Sequence, residues 1–407
     1  MFAASYRQFM ALRPSVRALV FVYWIYDFTL GMAGVFVQLF LYEQFASLEL
    51  NIIATIIFYT GIMVGFCIPG VLATYLRLNI KYGFATSFVC MAAALLYLVQ
   101  IRDIPHAYIA MFLWGLGQGI FWLTFNTFEL SETVREERDY YSSLLAAGGQ
   151  ILSLAGPACA TLLIWLSGSV LNLGTFTLLF LVTPAVYLFG LFFFSRLRDY
   201  RPPRIRFVDL THYFTDRNSR GAHLYVFGKG VQDTVGVLIP QLVTFTILGS
   251  ALRVGIFDTL FALFSAVCVL ALARFRTENN RLLIYGVALG SIALATVFLG
   301  YLFTLVALVI FTAARSFFGP FANTSSHVLD LAVMETGRSD TDFYATMIVR
   351  DAFLWLWRSI GGLLLLFVLY ISQTPHQALT GGLYLSAVVF ALTFFGAYLF
   401  MRRGRAV

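Results

Sequence analysis

Charged side chains are scarce in this sequence: Asp, Glu, Lys and Arg make up 12% of its 407 residues. A soluble domain carries about 25%. The shortage excludes a water-exposed globular surface. Cysteine is scarce too. Cys67, Cys90, Cys159 and Cys268 each lie inside an apolar stretch and none has CxxC spacing. They read as core-packing residues, giving neither a disulfide framework nor a zinc site. The five histidines are scattered, and neither HExxH nor GxSxG occurs. The usual carriers of metal-assisted or nucleophilic hydrolysis are therefore missing, so no enzyme, no metal centre and no cofactor is expected. The strict alternation over about ten residues that a membrane β-barrel needs is absent as well.

What is present is apolar sequence in long blocks, 60% of the chain being hydrophobic. A helix that crosses a bilayer needs roughly 20 predominantly apolar residues. Twelve such blocks occur, near 18–45, 51–76, 82–101, 104–131, 140–167, 175–195, 223–249, 253–273, 282–301, 303–331, 343–371 and 379–400. The fold class is thus an all-α polytopic membrane protein. The first block is too long for a signal peptide and begins after Arg13 and Arg17. The one long polar stretch follows the sixth block. It suggests an N-terminal six-helix bundle at 1–195, a basic linker at 196–222 and a C-terminal six-helix bundle at 223–407.

The net charge of +7 would suit nucleic acid, but its placement points to membrane orientation instead. With the N-terminus inside, 21 of the 27 Lys and Arg residues fall on the cytoplasmic side, and only Arg102 and Arg253 on the other. By the positive-inside rule both termini are cytoplasmic. The linker's arginines read as an anchor on anionic membrane lipids. No Asn-x-Ser/Thr site lies in an outer loop, which fits a bacterial inner membrane. A monomer with no nucleic-acid partner is expected.

The two halves resemble each other. "YDFTLG" around Asp27 pairs with "QDTVG" around Asp233, and "FNTFELSETV" with "ANTSSHVLDLAV". "RDYYSSLL" pairs with "TDFYATMI" in the same order, at offsets between 197 and 206. These matches describe a parallel repeat of six helices. Twelve spans, a basic central loop and this repeat resemble the major facilitator superfamily of secondary transporters. Its loop motif between the second and third helices is partly kept in "GVLATYLRLNIKYG", where Gly70, Arg77 and Lys81 match and Thr74 replaces the acid. The fifth-helix motif is partly kept in "GGQILSLAGPACATLL", with Gly156 and Pro157 followed by Ala160 and Thr161. The resemblance implies two pseudo-symmetric six-helix bundles around one substrate cavity, opened to each side in turn. The implied function is secondary active transport of a small solute. A transport-inactive receptor or scaffold of the same fold is the alternative reading.

Polar residues within spans mark candidate sites, because a charge at mid-membrane costs about 3 kcal/mol on insertion scales. In "TMIVRDAFLWLWRSIGG", Asp351 and Arg358 are seven residues apart and share a helix face with Trp355, while Arg350 points about 100° away. They read either as contacts to an anionic or zwitterionic solute, or as an ion pair locking helices. Asp27 and Asp233 are candidates for proton coupling, although Lys229, one turn before Asp233, offers an intrahelical pair. Gln118 and Arg315 occupy equivalent positions of the repeat. Arg315 suits contact with a carboxylate or phosphate, or a bridge to Asp233 or Asp351. Asn126, Glu129, Asn323 and His327, nearer helix ends, suit gating or packing, as does Lys229. Trp122, Trp355 and Trp357 could stack on a solute.

Overall fold

The computed structural model describes residues 9–10, 12–101, 103–132, 135–204, 220–272, 281–334 and 340–404. Among these residues twelve helices follow one another, and no strand occurs. They are α1 (Pro14–Phe45), α2 (Leu48–Leu76), α3 (Tyr82–Leu98), α4 (Ile104–Glu132), α5 (Arg135–Trp165) and α6 (Thr177–Phe189). After the linker come α7 (Arg220–Leu248), α8 (Ala251–Leu272), α9 (Arg281–Leu302), α10 (Leu305–Met334), α11 (Asp340–Ile371) and α12 (Pro375–Gly404). A π-helical turn, Leu166–Val170, extends α5, and Leu191–Phe194 continues α6 past Gly190.

Each of the twelve expected spans is a helix. Eleven are long and apolar enough to cross a bilayer, while α3, with 17 residues, sits at the short end of the crossing range. Large apolar side chains point outward along them, among them Tyr370 at 87%, Tyr301 at 77% and Leu294 at 73% exposure. Water does not tolerate so much apolar surface, but lipid does. The chain is an integral membrane protein.

Three of the sharpest turns share one local design. Ala46, Gly249 and Phe303 take left-handed backbone angles, with φ of 48°, 75° and 46°. Each amide caps its helix by donating to the carbonyl four residues back, on Tyr42, Phe245 and Leu299. The next residue is Ser47, Ser250 or Thr304, whose hydroxyl accepts the amide of the third residue of the following helix. A left-handed C-terminal cap followed at once by a Ser/Thr N-cap satisfies both helix ends in two residues. The chain therefore reverses without unpaired backbone at the membrane face.

Two compact units divide the helices: Met1–Gly34 with Gly61–Arg204, and Val35–Thr60 with Ile205–Val407. The α1–α2 hairpin thus packs with the later helices, although α3 to α6 lie between them in the chain. The expected linker lies outside the described residues from 205 to 219. Its described start is clasped to the α2–α3 loop: Asn79 accepts the Tyr200 amide at 3.2 Å and Lys81 pairs with Asp199. The hydrogen bond from Lys81, then that from Asn79, holds the Asp199 carboxyl below the usual range. Thr74, the departure from the family's loop motif, is fully buried and bonds only its own helix, at Val71 O.

The first unit has an aromatic core around Phe121 of α4, which is fully buried. Tyr26 stacks on it at 3.8 Å, and Phe84 and Phe88 of α3 lie 5.5 and 5.9 Å away. Glycines bring α2 and α4 together. A Cβ on Gly119 would lie 2.1 Å from Ile62 O, and one on Gly65 would lie 2.2 Å from Leu116 O.

The second unit packs around α7, which lies against both α11 and α12. Val231, Val235, Leu238, Ile239 and Leu242 of α7 are buried, and Leu48 and Ile52 of α2 join their cluster. Helix pairs six apart in order repeat one another: α3 packs on α4 and α6 as α9 packs on α10 and α12. This is the pseudo-symmetry that the repeat predicts.

At Gly119 the obstructing atom is a backbone carbonyl, which cannot swing aside. Gly119→Ala is expected to destabilise the first unit by about 1–3 kcal/mol, the usual cost of overpacking. Thermal unfolding in detergent should show a lower midpoint for this variant than for the unaltered chain.

Candidate functional site

The charged residues of the later spans form a chain of contacts within the second unit. Helix α7 contributes Tyr225, Lys229 and Asp233, which recur every four residues and so line one face. Lys229 does not close on Asp233. Its Nζ donates to Ser326 Oγ at 2.8 Å and pairs with Asp330 at 3.2 Å, both on α10. Ser326 Oγ also lies 2.9 Å from the Tyr225 hydroxyl, and its carbonyl accepts that hydroxyl at 3.2 Å. The intrahelical pair of the sequence reading is thus replaced by an interhelical one. A salt bridge across helices satisfies an acid that α10 would otherwise hold alone at membrane depth.

One turn beyond Lys229, Asp233 is held by Arg358 of α11. Arg358 Nε and Nη2 both donate to Asp233 Oδ2, at 3.0 and 2.6 Å. The guanidinium lies over the Tyr59 ring at 4.9 Å, and the Tyr59 hydroxyl donates to Asp233 O at 2.7 Å. Thr234 Oγ1 donates to Arg358 O at 2.9 Å, and Trp355 Nε1 donates to Thr60 Oγ1 at 3.1 Å. Small residues permit this approach: a Cβ on Gly230 would lie 2.6 Å from Trp357 Cβ. The first unit uses the same device in reverse, with Trp24 of α1 seated over Gly148 of α5.

Arg350 and Asp351 are both buried. Asp351 lies in the field of Arg358 first, then of Arg350 and Asp233. Arg350 Nε and Asp351 Oδ2 have no hydrogen-bond partner among the described residues. Among the described residues no ion pair of Arg350 with a neighbouring helix occurs.

Arg315 differs from all of these. It sits half-buried on α10 and makes no hydrogen bond or ion pair with a described residue. Neither Asp233 nor Asp351 is its partner. The charge that acts on it is that of Asp258, also half-buried, on the packed helix α8, and the two do not close to ion-pair distance.

In the first unit, Asp27 is half-buried on α1 beside α5, where a Cβ on Gly149 would lie 3.5 Å from its Oδ2. No described Lys or Arg pairs with it. Gln118 is buried and accepts the Tyr26 hydroxyl at 3.1 Å, while its Nε2 has no partner among the described residues. The repeat equivalence of Gln118 and Arg315 therefore does not carry into a common environment. Asn126 and Glu129 are buried on α4, His327 is half-buried on α10, and Asn323 is exposed. Trp122 lies among Tyr23, Tyr26 and Phe125. Among the described residues no group of three or more His, Cys, Asp or Glu could hold a metal ion.

Sequence reading passes over Asp258, Asp330, Ser326, Tyr59 and Thr60. Asp258 and Asp330 carry the same signal as Asp27, an acid inside an apolar block. Tyr59 and Thr60 carry none, because nothing local ties the second helix to the seventh and eleventh.

The chain resembles solved transporter structures. The crystal structure of the human organic anion transporter MFSD10 (TETRAN) matches with a TM-score of 0.66 at 15% identity, over 94% of this chain and 99% of that one. The nucleoside transporter NupG matches with a TM-score of 0.63 at 11% identity, over 96% and 98%. A point variant of NupG matches at 13% identity with the same score. The fold is the major facilitator fold. No protein-family model matches the chain, and no curated protein matches it by sequence. With identities this low, the major facilitator fold is what the likeness shows, and the site must speak for itself.

Within that fold the Asp233–Arg358 pair has a clear energetic signature. Removing one partner leaves a charge unpaired in a poorly solvated place, which costs about 3–5 kcal/mol. Asp233→Asn alone is expected to lower the unfolding midpoint strongly, and Asp233→Asn with Arg358→Gln to recover part of the loss. A double-mutant cycle on thermal unfolding in detergent measures the coupling.

Proposed function

We propose that this protein is a secondary active transporter that moves a small solute with an anionic group by alternating access, coupled to protons. The fold supports the general class, since the neighbours of known structure are named as an organic anion transporter and a nucleoside transporter. The observation that carries the reading is Arg315. Lys229 and Arg358 each have a carboxylate at 3.2 Å or closer, whereas Arg315 has none among the described residues. An intramembrane guanidinium without a partner is costly unless it meets an anion during the working cycle, and its planar fork recognises a carboxylate or phosphate with two hydrogen bonds.

Asp27 supports the coupling. It lies at mid-span, and no Lys or Arg occurs within the six spans of its half. A proton is then the simplest charge that can neutralise it at that depth. Both termini face the cytoplasm in this reading, with the basic linker on the inner leaflet of a bacterial plasma membrane.

The test is flux into proteoliposomes, using a panel of radiolabelled small carboxylates and phosphate esters under an imposed pH gradient. At least one compound should move. Arg315→Gln should cut its initial rate by more than about tenfold, the loss expected for a charge-assisted hydrogen-bonded contact worth 1.5–3 kcal/mol, with the unfolding midpoint little changed. Asp27→Asn should leave a rate that no longer responds to the gradient. A panel in which nothing moves, or a rate indifferent to Arg315→Gln, overturns the proposal.

A further inference from the structure

Asp258 gives the Arg315 site a second end. Helices α8 and α10 both begin at two-residue turns, Gly249–Ser250 and Phe303–Thr304, and the two helices pack against each other. Two crossings separate those turns, so both lie on one side of the membrane. Asp258 is seven residues beyond the start of α8 and Arg315 ten beyond the start of α10. At 1.5 Å per residue they lie about 10 and 15 Å from that side, nearly the same depth. Each is the charged group the other senses, and neither is hydrogen-bonded to a described residue.

The contrast with the rest of the unit is informative. Lys229 with Asp330, and Arg358 with Asp233, have closed to 3.2 and 2.6 Å. Asp258 and Arg315 face each other at similar depth on packed helices, yet remain apart, and both are only half-buried. An open pair of opposite charges presents an acceptor and a two-pronged donor to whatever enters between them. A simple anion satisfies Arg315 and leaves Asp258 more exposed to negative charge. A group carrying both signs satisfies both.

We propose that Asp258 and Arg315 form a zwitterion site that takes an α-amino acid by its two charged groups, the ammonium on Asp258 and the carboxylate on Arg315. This rests on the reading of Arg315 as the anion contact, and it narrows the solute class from anion to zwitterion. No bond is made or broken. Recognition is by hydrogen bonds and charge, and the ligand enters and leaves intact.

The experiment is thermal unfolding of the purified full chain in detergent, with the common α-amino acids at millimolar concentration, since a ligand of the native state raises the midpoint. Their N-acetyl derivatives, which keep only the carboxylate, and their methyl esters, which keep only the ammonium, are run beside them. At least one free amino acid should raise the midpoint, and each of its capped forms should bind at least about tenfold more weakly, a difference of 1.4 kcal/mol. Asp258→Asn should erase the preference for the free over the N-acetyl form, and Arg315→Gln should erase binding of both. The capped forms are read on the unaltered chain, so the test does not depend on the variants folding. Should the N-acetyl form bind as well as the free amino acid, the zwitterion site falls while Arg315 stands as an anion contact. Should neither free nor capped forms bind, the zwitterion site falls, and the anion reading of Arg315 stands or falls by the flux test alone.

Discussion

At membrane depth neither a carboxylate nor a guanidinium can be left to itself, and the closure of Asp233 on Arg358 determines how three helices meet. The pair joins α7 to α11, and Tyr59 of α2 completes it by covering the guanidinium with its ring while bonding the Asp233 carbonyl. The surrounding apolar contacts follow from that register. Trp355 reaches Thr60, Ile56 seats against Gly362, and Leu48 and Ile52 join the cluster around Val231 and Val235. The hydrophobic effect does not drive apolar helices together within lipid, because lipid tails are as apolar as leucine. A hydrogen-bonded ion pair fixes a register.

The four acids within the apolar spans of α7 to α11 (Asp233, Asp258, Asp330 and Asp351) are matched in number by Lys229, Arg315, Arg350 and Arg358. That balance lets the unit carry so many charges inside a bilayer. The pairs are nonetheless unequal. Two are closed and serve to hold helices, Asp351 lies between two arginines, and Asp258 with Arg315 is open. In the first unit Asp27 meets no cation among the described residues. The charges thus divide between closed pairs that hold helices together and charges left open, a division that composition alone does not reveal.

Much of the architecture was legible because lipid imposes one rule on every span. The apolar blocks predicted all twelve helices, whereas the caps at Ser47, Ser250 and Thr304 came to light only in the structure. Boundaries shifted where polar first turns extend a helix beyond its apolar block, as at Arg135 of α5 and Asp340 of α11. The sites were legible as a set and not as pairs. Lys229 and Asp233 are one turn apart, yet Lys229 turns to Asp330 because a residue on the facing helix offers better geometry than one on its own. Gln118 matches Arg315 in the repeat, but a tyrosine on α1 encloses the first while the second faces an acid.

The sequence by itself determined the membrane class, the number of helices, the duplicated plan and the few polar residues worth suspecting. Each follows from the cost of placing a backbone or a charge in hydrocarbon, which is paid locally and so is written locally. Only the tertiary structure decided which acid meets which base, that the α1–α2 hairpin packs with helices far later in the chain, and that Asp258 and Arg315 stay open. Those outcomes depend on distances between residues remote in sequence, set by how glycines and aromatic rings let the helices approach.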